Sequence, residues 1–391
     1  SGDYIALFDH DDLLHPSVLY ENMKAICEQG ADFIYTDELT FQGTTKNITV
    51  AHFKPDFAID NLRANNYICH FTVFQKSLLE KVGLFRSECD GSQDFDMVLR
   101  LTEQAQKIVH IPKPLYFWRS HAQSVASSVG AKPYVIQAAK KAIGDHLKRV
   151  GFDGEALDSV VPSMYRLKYE IKGEPLISIL IPNKDHVSDL RKCIVSIQEK
   201  TSYPNYEIIV IENNSEEEKT FQYYQLLEKR RNIRVVCWNG KFNYSEINNF
   251  GYTFAKGEYI LLLNNDTEVI SADWLQEMLM YAQRGDVGAV GAKLYYPDNT
   301  VQHGGVVLGV GGVAAHLHCN RQKEDPGYMG RLIYAQDLTA VTAACMMLPR
   351  KVWEETGGLD ESFEVAFNDV DLCMRIRQKG YLIVFTPYAE L

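Results

Sequence analysis

The sequence predicts an α/β fold built on a doubly wound, mostly parallel sheet, present once nearly complete and once as the back half of a second copy. Three observations carry that reading. The chain repeats itself, apolar β-branched runs alternate with helical patterns, and acidic and amide residues cluster just past the ends of those runs.

The repeat comes first. GDYIALFDHDDLLHPSVL (2–19) matches GEYILLLNNDTEVISADWL (257–275) at an offset of 255. GLFRSECDGSQDFDMVLR (83–100) matches GLDESFEVAFNDVDLCMR (358–375) at an offset of 275. In both of the latter, a D-x-D-x-x-x-R run begins eleven residues after the Gly. Two matches in the same order are hard to obtain by chance. The change of offset gives the second copy twenty more residues between its motifs, where the Gly-rich stretch 304–315 falls.

The second copy also has a front half. LISILIP (176–182), YEIIVIENNS (206–215), IRVVCW and YILLL read as buried strands, with helical patterns over 190–199, 216–230 and 244–255 between them. In such sheets ligands bind beyond the carboxyl ends of the strands. Asp185, the run Glu212 to Ser215 and the run Asn264 to Asp266 all fall at that edge. The first copy begins where its fourth strand would be. An amphipathic helix over 132–150 and the extended stretch YRLKYEIKGEP separate the copies. The expected division is therefore 1–128 for the back half of a first module, 129–174 for a helical and extended linker, and 175–391 for a second module lacking its extreme C-terminus.

Composition narrows the function. With 391 residues, 46% hydrophobic and 23% charged, the chain suits two or three globular domains. No apolar run approaches the roughly eighteen residues of a membrane helix. A net charge of -11 without a basic stripe argues against a nucleic-acid partner. An anionic nucleotide would then need a local cation, and a divalent metal held by Asp is the natural one. The eight Cys form no C-x-x-C pair and read as buried free thiols of a reducing cytosol. His316 and His318 beside Cys319 read as plain loop residues.

Asp266 ends a buried strand, and Asp9, Asp11 and Asp12 occupy the matching turn of the first copy. The bland alternative is helix capping; its recurrence at a strand tip favours metal binding. Within the D-x-D-x-x-x-R runs, Asp371 with Arg375 and Asp96 with Arg100 stand at i and i+4, which suits structural surface ion pairs worth a few tenths of a kcal/mol. Asp369 and Asp94 come near the helix starts, where a general base would be held. His121 lies in a polar loop, open between ligand and structural roles. Phe242, Tyr244, Phe250 and Tyr252 read as a core-facing stripe, with Asn243 and Asn248 as polar exceptions that reach a ligand.

Together these segments resemble family 2 glycosyltransferases of the GT-A fold, Rossmann-like and doubly wound. The resemblance spans 175–391 and, for the incomplete copy, 1–128. It implies that Asp185, Glu212 and Asn214 contact the nucleotide. Asn264, Asn265 and Asn243 add donor contacts, and Asp266 carries Mg²⁺ or Mn²⁺, with Asn264 in place of the usual first Asp. Asp369 would be the catalytic base, and Asn368 departs from the usual Glu. In the first copy Asp94 takes the base's place, with Asp9, Asp11 and His121 in the metal positions. The segments VQHGGVVLG and FNYSEINN look like bacterial rhamnosyltransferase-type members. The implied reaction is an inverting transfer from a UDP- or dTDP-linked sugar to an oligosaccharide or lipid-linked saccharide. It would take place in the cytoplasm, compatible with peripheral association at the inner face of the membrane.

Two other classes compete. A sugar-nucleotide nucleotidyltransferase would show a Gly-rich basic loop after its first strand, and NKDHVSD has no Gly and one Lys. A non-catalytic carbohydrate-binding protein would have no reason to keep Asp266 together with Asp369.

Overall fold

The computed structural model describes residues 2–120 and 133–391, in two compact units, one ending at Tyr169 and the other Glu170–Leu391. The first contains β1 (Tyr4–Leu7), β2 (Leu13–Leu14), α1 (Val18–Gln29), β3 (Phe33–Phe41), β4 (Ile48–His52), α2 (Ile59–Ala64) and β5 (Thr72–Gln75). It continues with α3 (Lys76–Val82), α4 (Gln93–Gln104), β6 (Ile108–Arg119), α5 (Pro133–Arg149), β7 (Gly154–Asp158) and β8 (Tyr165–Tyr169). Its main sheet runs β1-β5-β3-β6-β2, with β4 on β3. The stretch 133–169, expected as helix and linker, forms α5 and the antiparallel β7–β8 hairpin within this unit. There His146 of α5 joins Glu103 at 2.6 Å and Arg63 at 3.1 Å.

The second unit opens with β9 (Ile177–Asn183), α6 (Val187–Lys200), β10 (Tyr206–Glu212), α7 (Glu218–Leu227), β11 (Ile233–Cys237), α8 (Tyr244–Tyr252), β12 (Tyr259–Leu263) and α9 (Trp274–Ala282). Then come β13 (Val287–Tyr295), β14 (Val301–His303), β15 (Val306–Leu308), β16 (Ala314–His316), β17 (Gln336–Asp337), β18 (Cys345–Pro349), α10 (Arg350–Thr356), α11 (Asn368–Gln378) and β19 (Leu382–Glu390). The main sheet runs β11-β10-β9-β12-β18-β13-β19-β17, with β14 on β13.

Strands β11, β10, β9 and β12 are parallel, as the alternation with helices requires. Ile177, Ile179, Leu180 and Ile181 are wholly buried, the continuous apolar run of a strand covered on both faces. The sheet then turns mixed, because β18 enters antiparallel between β12 and β13 while β13 and β19 are parallel. The first unit repeats this half strand for strand. β1-β5-β3-β6 has the same order and the same sequence of directions as β12-β18-β13-β19. Among the described residues it has no counterpart of β9 to β11.

One glycine is fixed by packing. A Cβ on Gly291 of β13 would come within 2.5 Å of Val341 Cβ, so the segment leading into β18 lies directly on the sheet. All eight cysteines are free; Cys89, Cys193, Cys345 and Cys373 are buried, whereas Cys27, Cys237 and Cys319 are exposed, contrary to the expectation of uniformly buried thiols. No helix of the described residues is long and apolar enough to cross a membrane.

Candidate active site

The carboxyl ends of β9, β10 and β12 converge on a cleft of about 230 Å³ in the second unit. Pro182, Asn183, Lys184, Asn213, Phe242 and Tyr244 line it, together with Ile247 and the run Asn264, Asn265 and Asp266. Asp266 is exposed, and α9 starts only at Trp274, so its carboxylate is not a helix cap. Thr267 turns its hydroxyl back to the Asn264 carbonyl at 2.9 Å, which tightens the turn that presents Asp266.

Asn183, unremarkable as the first residue of a polar loop, is the pivot. It is buried, accepts from Asn265 Nδ2 at 2.6 Å and donates to Tyr224 Oη at 2.7 Å. Tyr224 in turn donates to Glu212 at 2.5 Å. A polar residue one step past an apolar run looks like the start of a loop; only the fold shows it bridging two strand ends.

Of the residues expected at the nucleotide, Asn264 and Asn265 line the cleft, whereas Asp185, Glu212, Asn214 and Asn243 are not among its lining residues. Glu212 is buried and closes the turn after β10, accepting from Ser215 N at 2.5 Å and Ser215 Oγ at 2.6 Å. Asp185 accepts from the amides of Glu216 and Glu217 at 3.0 and 2.9 Å. Those two bonds, Glu217's first, hold its carboxyl below the usual range. Asn214 takes a left-handed conformation and ties its amide to the Gly240 carbonyl at 2.7 Å. Asn243 corrects the sequence reading. Its Oδ1 caps α8 through Ser245 N and Glu246 N, and its Nδ2 is spent on the Glu361 carbonyl, so both ends of the amide are engaged within the fold. Asn248 is likewise turned inward, donating to the Tyr244 carbonyl at 2.8 Å.

The aromatic stripe divides. Phe250 and Tyr252 pack on the core against Trp238 and Trp353, whereas Phe242 is 55% exposed and faces the cleft with Tyr244. The core reading therefore fails for Phe242. It sits one residue before the cap of α8, outside the helix whose face the spacing described.

Asp369 lies in the first turn of α11. Its Oδ1 accepts from Val370 N at 2.8 Å and its Oδ2 from Ala343 N at 3.1 Å. The segment 342–344 that supplies the second bond also receives Asn264 N on the Ala344 carbonyl at 3.0 Å and Tyr244 Oη on the Ala343 carbonyl at 3.2 Å. A single stretch of backbone thus sets Asp369 against both the acid turn and the cleft wall. Asp371 points elsewhere, taking Arg375 Nε at 2.8 Å, while that guanidinium also holds the Thr356 carbonyl at 2.7 Å.

The same segment bears a feature the sequence did not announce. His303 and His316, thirteen residues apart, meet Nδ1 to Nδ1 at 2.9 Å across the insertion, and Thr342 N faces His303 Nε2 at 3.4 Å. His316 is therefore no plain loop residue.

In the first unit, Asp94 accepts from Asn66 Nδ2 at 3.2 Å, and exposed Asp9 stands 3.6 Å from His70 Nε2. The buried member of the acid turn is Asp12, held by Tyr116 Oη and by Arg119 N at 2.7 Å, while Asp11 turns its carbonyl to Arg119 Nε at 2.7 Å. Lys54, also buried, bridges Glu38 at 3.0 Å and the Ile68 carbonyl at 2.7 Å. Asp96 departs from the surface-pair reading: it is wholly buried between Arg86 and Arg100. His121 lies outside the described residues. Among the described residues no group of three or more His, Cys, Asp or Glu side chains is placed to hold a metal unaided.

Residues 178–357 match the family model of glycosyl transferase family 2. The chain is 45% identical over its whole length to the uncharacterized protein y4gI of Sinorhizobium fredii, covering 44% of that protein. It is 38% identical, again over its whole length, to the O-antigen biosynthesis protein RfbC of Myxococcus xanthus, covering 30% of it. The chain thus spans less than half the length of these relatives. Among solved structures, a GalNAc-T7 with UDP, GalNAc and Mn²⁺ aligns with 57% of this chain and 44% of its own at 15% identity, with a TM-score of 0.47.

Proposed function

We propose that this chain, whose residues 178–357 match the glycosyl transferase family 2 model, moves a sugar from a nucleotide-diphosphate donor to a saccharide hydroxyl, with inversion, in cell-surface polysaccharide synthesis. The observation that supports this reading is the 342–344 backbone, which bonds Asp369 through the Ala343 amide and cleft-lining Asn264 through the Ala344 carbonyl. Whole-length similarity to an O-antigen biosynthesis protein supports the polysaccharide setting.

In this reading the nucleoside of a UDP- or dTDP-linked sugar lies in the cleft against Phe242 and Ile247, with its diphosphate near Lys184 and Asp266. One exposed carboxylate beside the Asn264 and Asn265 amides fits a hard cation that takes its remaining oxygens from the donor's phosphates. Mg²⁺ or Mn²⁺ bound there would offset charge growing on the leaving diphosphate. Asp369, oriented by two backbone N–H groups, takes the proton of the acceptor hydroxyl. The acceptor is an oligosaccharide or lipid-linked saccharide, reached from the cytoplasm or the inner face of the membrane. We read the first unit as the back half of a like module, with Asp94 in the base's place and Asp9 and Asp11 toward a metal. Donor binding is assigned to the second unit because β9 to β11 belong to it.

The test incubates the full chain with UDP- and dTDP-sugars, with and without Mn²⁺, and follows nucleotide diphosphate release. Release should need the metal, and Asp266→Ala should remove most of it. Release unaltered by chelation and by Asp266→Ala would refute the metal assignment; pyrophosphate as the product would favour nucleotidyl transfer instead.

A further inference from the structure

The insertion that distinguishes the second unit takes no part in the donor cleft, yet within it two imidazoles meet Nδ1 to Nδ1. His303, at the end of β14, is 0% exposed. Its Nε2 faces the Thr342 N–H at 3.4 Å, and its Nδ1 lies 2.9 Å from Nδ1 of exposed His316 on β16. A ring nitrogen that accepts from an N–H carries no proton, so the hydrogen of His303 sits on Nδ1. That hydrogen is donated to Nδ1 of His316, which leaves Nε2–H as the donor of the outer ring. Burial, and then the neighbouring ring, hold His303 well below the usual imidazole range, so the neutral form persists at neutral pH. With Nδ1 accepting and Nε2 protonated, His316 has no lone pair left for a metal.

Its surroundings indicate what that donor meets. Thr342 faces His303, and the next residue, Ala343, donates to Asp369, so the imidazole pair and the carboxylate hang from consecutive peptide N–H groups. The hairpin is tied to the same stretch by Val306 N on the Ala340 carbonyl at 2.9 Å. Burial lowers His316 while the Asp369 carboxylate opposes that effect, so the two side chains lie within electrostatic reach. Neither lines the nucleotide cleft.

We propose that His316 binds the acceptor saccharide, donating Nε2–H to an oxygen near the hydroxyl that Asp369 deprotonates, and that His303 is a positioning residue that locks this tautomer. The assignment rests on the glycosyl-transfer reading above.

The test uses the full chain and whichever UDP- or dTDP-sugar it hydrolyses. Acceptor probes are methyl glycosides of glucose, galactose and rhamnose. His316→Ala should raise the acceptor KM about tenfold, the loss of one hydrogen bond to a sugar oxygen. Nucleotide release in acceptor-free buffer should stay within about twofold of the parent chain. His316→Gln, which restores an N–H at similar reach, should recover most of the KM, as a packing role would not. His303→Asn keeps a donor toward His316 and should resemble the parent chain, whereas His303→Ala should resemble His316→Ala. An unchanged acceptor KM in His316→Ala, with the parent chain active, overturns the proposal alone. Absence of nucleotide release from every donor by the parent chain removes the glycosyl-transfer reading, and this proposal with it.

Discussion

Asp96 and Asp371 occupy the same place in the repeat, each four residues before an arginine, and replacing each by Asn should have very different consequences. Asp96 has a 0% exposed side chain and receives Arg86, together with Arg100 Nη2 at 2.8 Å. Burial alone would raise its carboxyl; the two guanidiniums, Arg86 first, bring it below the usual carboxylate range. After Asp96→Asn, Arg86 keeps Asp145 at 2.9 Å, but buried Arg100 is left with the carbonyls of Val82, Gly83 and Leu84. Stranding a buried charge costs about 3–5 kcal/mol, and the carbonyls hold this case near the lower figure, about 3 kcal/mol. Asp371 is 24% exposed and Arg375 26%, so solvent takes up much of the loss, which should be about 1 kcal/mol or less.

Two buried thiols read these changes locally, Cys89 beside Arg86 and Cys373 on α11. Local reporters are needed because two units need not unfold together. Alkylation under native conditions, followed peptide by peptide, should accelerate about 100-fold or more at Cys89 in Asp96→Asn. The Cys373 rate in Asp371→Asn should rise by no more than about tenfold. Because the folded-state pKa of Asp96 is depressed, its contribution is present above the ordinary value near 4. It is lost as pH falls through the lower folded value, so the gap between Asp96→Asn and the parent chain should narrow as pH falls below about 4. Equal accelerations at the two sites would refute the argument from burial.

Two further outcomes follow from the site. Asp369→Asn should lower transfer by about two orders of magnitude or more while sparing nucleotide binding, whereas Asp371→Asn should leave turnover nearly intact; paired turnover and calorimetry measurements check both, and near-full transfer by Asp369→Asn would end the base assignment. Gly291→Ala should drive Val341 off the sheet and cost about 1–3 kcal/mol, with transfer falling further than donor affinity because Val341 adjoins the amides that hold His303 and Asp369; thermal melts with kinetics on the same samples show it.

Much of this architecture is legible in the sequence. The parallel strands announced themselves as β-branched runs followed by polar turns, and the two repeat motifs reappear as superimposable strand orders. Strand direction was not legible in Cys345–Pro349, because a short buried run reads the same whichever way it enters a sheet. Asn243 with Glu246 is a capping-box spacing, so its helix-starting role was present in the sequence although a ligand role was assigned. The His303–His316 contact had no local signature: it exists because β13, β14 and the β15–β16 hairpin fold the insertion back on residues 340–342. Burial was the other hidden quantity, since D-x-D-x-x-x-R encloses one aspartate fully and leaves its counterpart a quarter exposed.

The stretch 342–344 does its holding with main-chain atoms, and those are common to nearly every amino acid. Sequence drift at these three positions can therefore pass without turning Asp369, provided the newcomers stay small enough for the backbone to keep its path. The hairpin bearing His316 is tied to this stretch at its base through Val306, but its tip over 308–313 is exposed. Under the proposal above, changes at that tip would alter which sugar His316 meets while leaving the bonds that hold Asp369 in place. Acceptor contact and proton abstraction would then rest on separate parts of one chain, joined at the neighbouring peptide groups of Thr342 and Ala343.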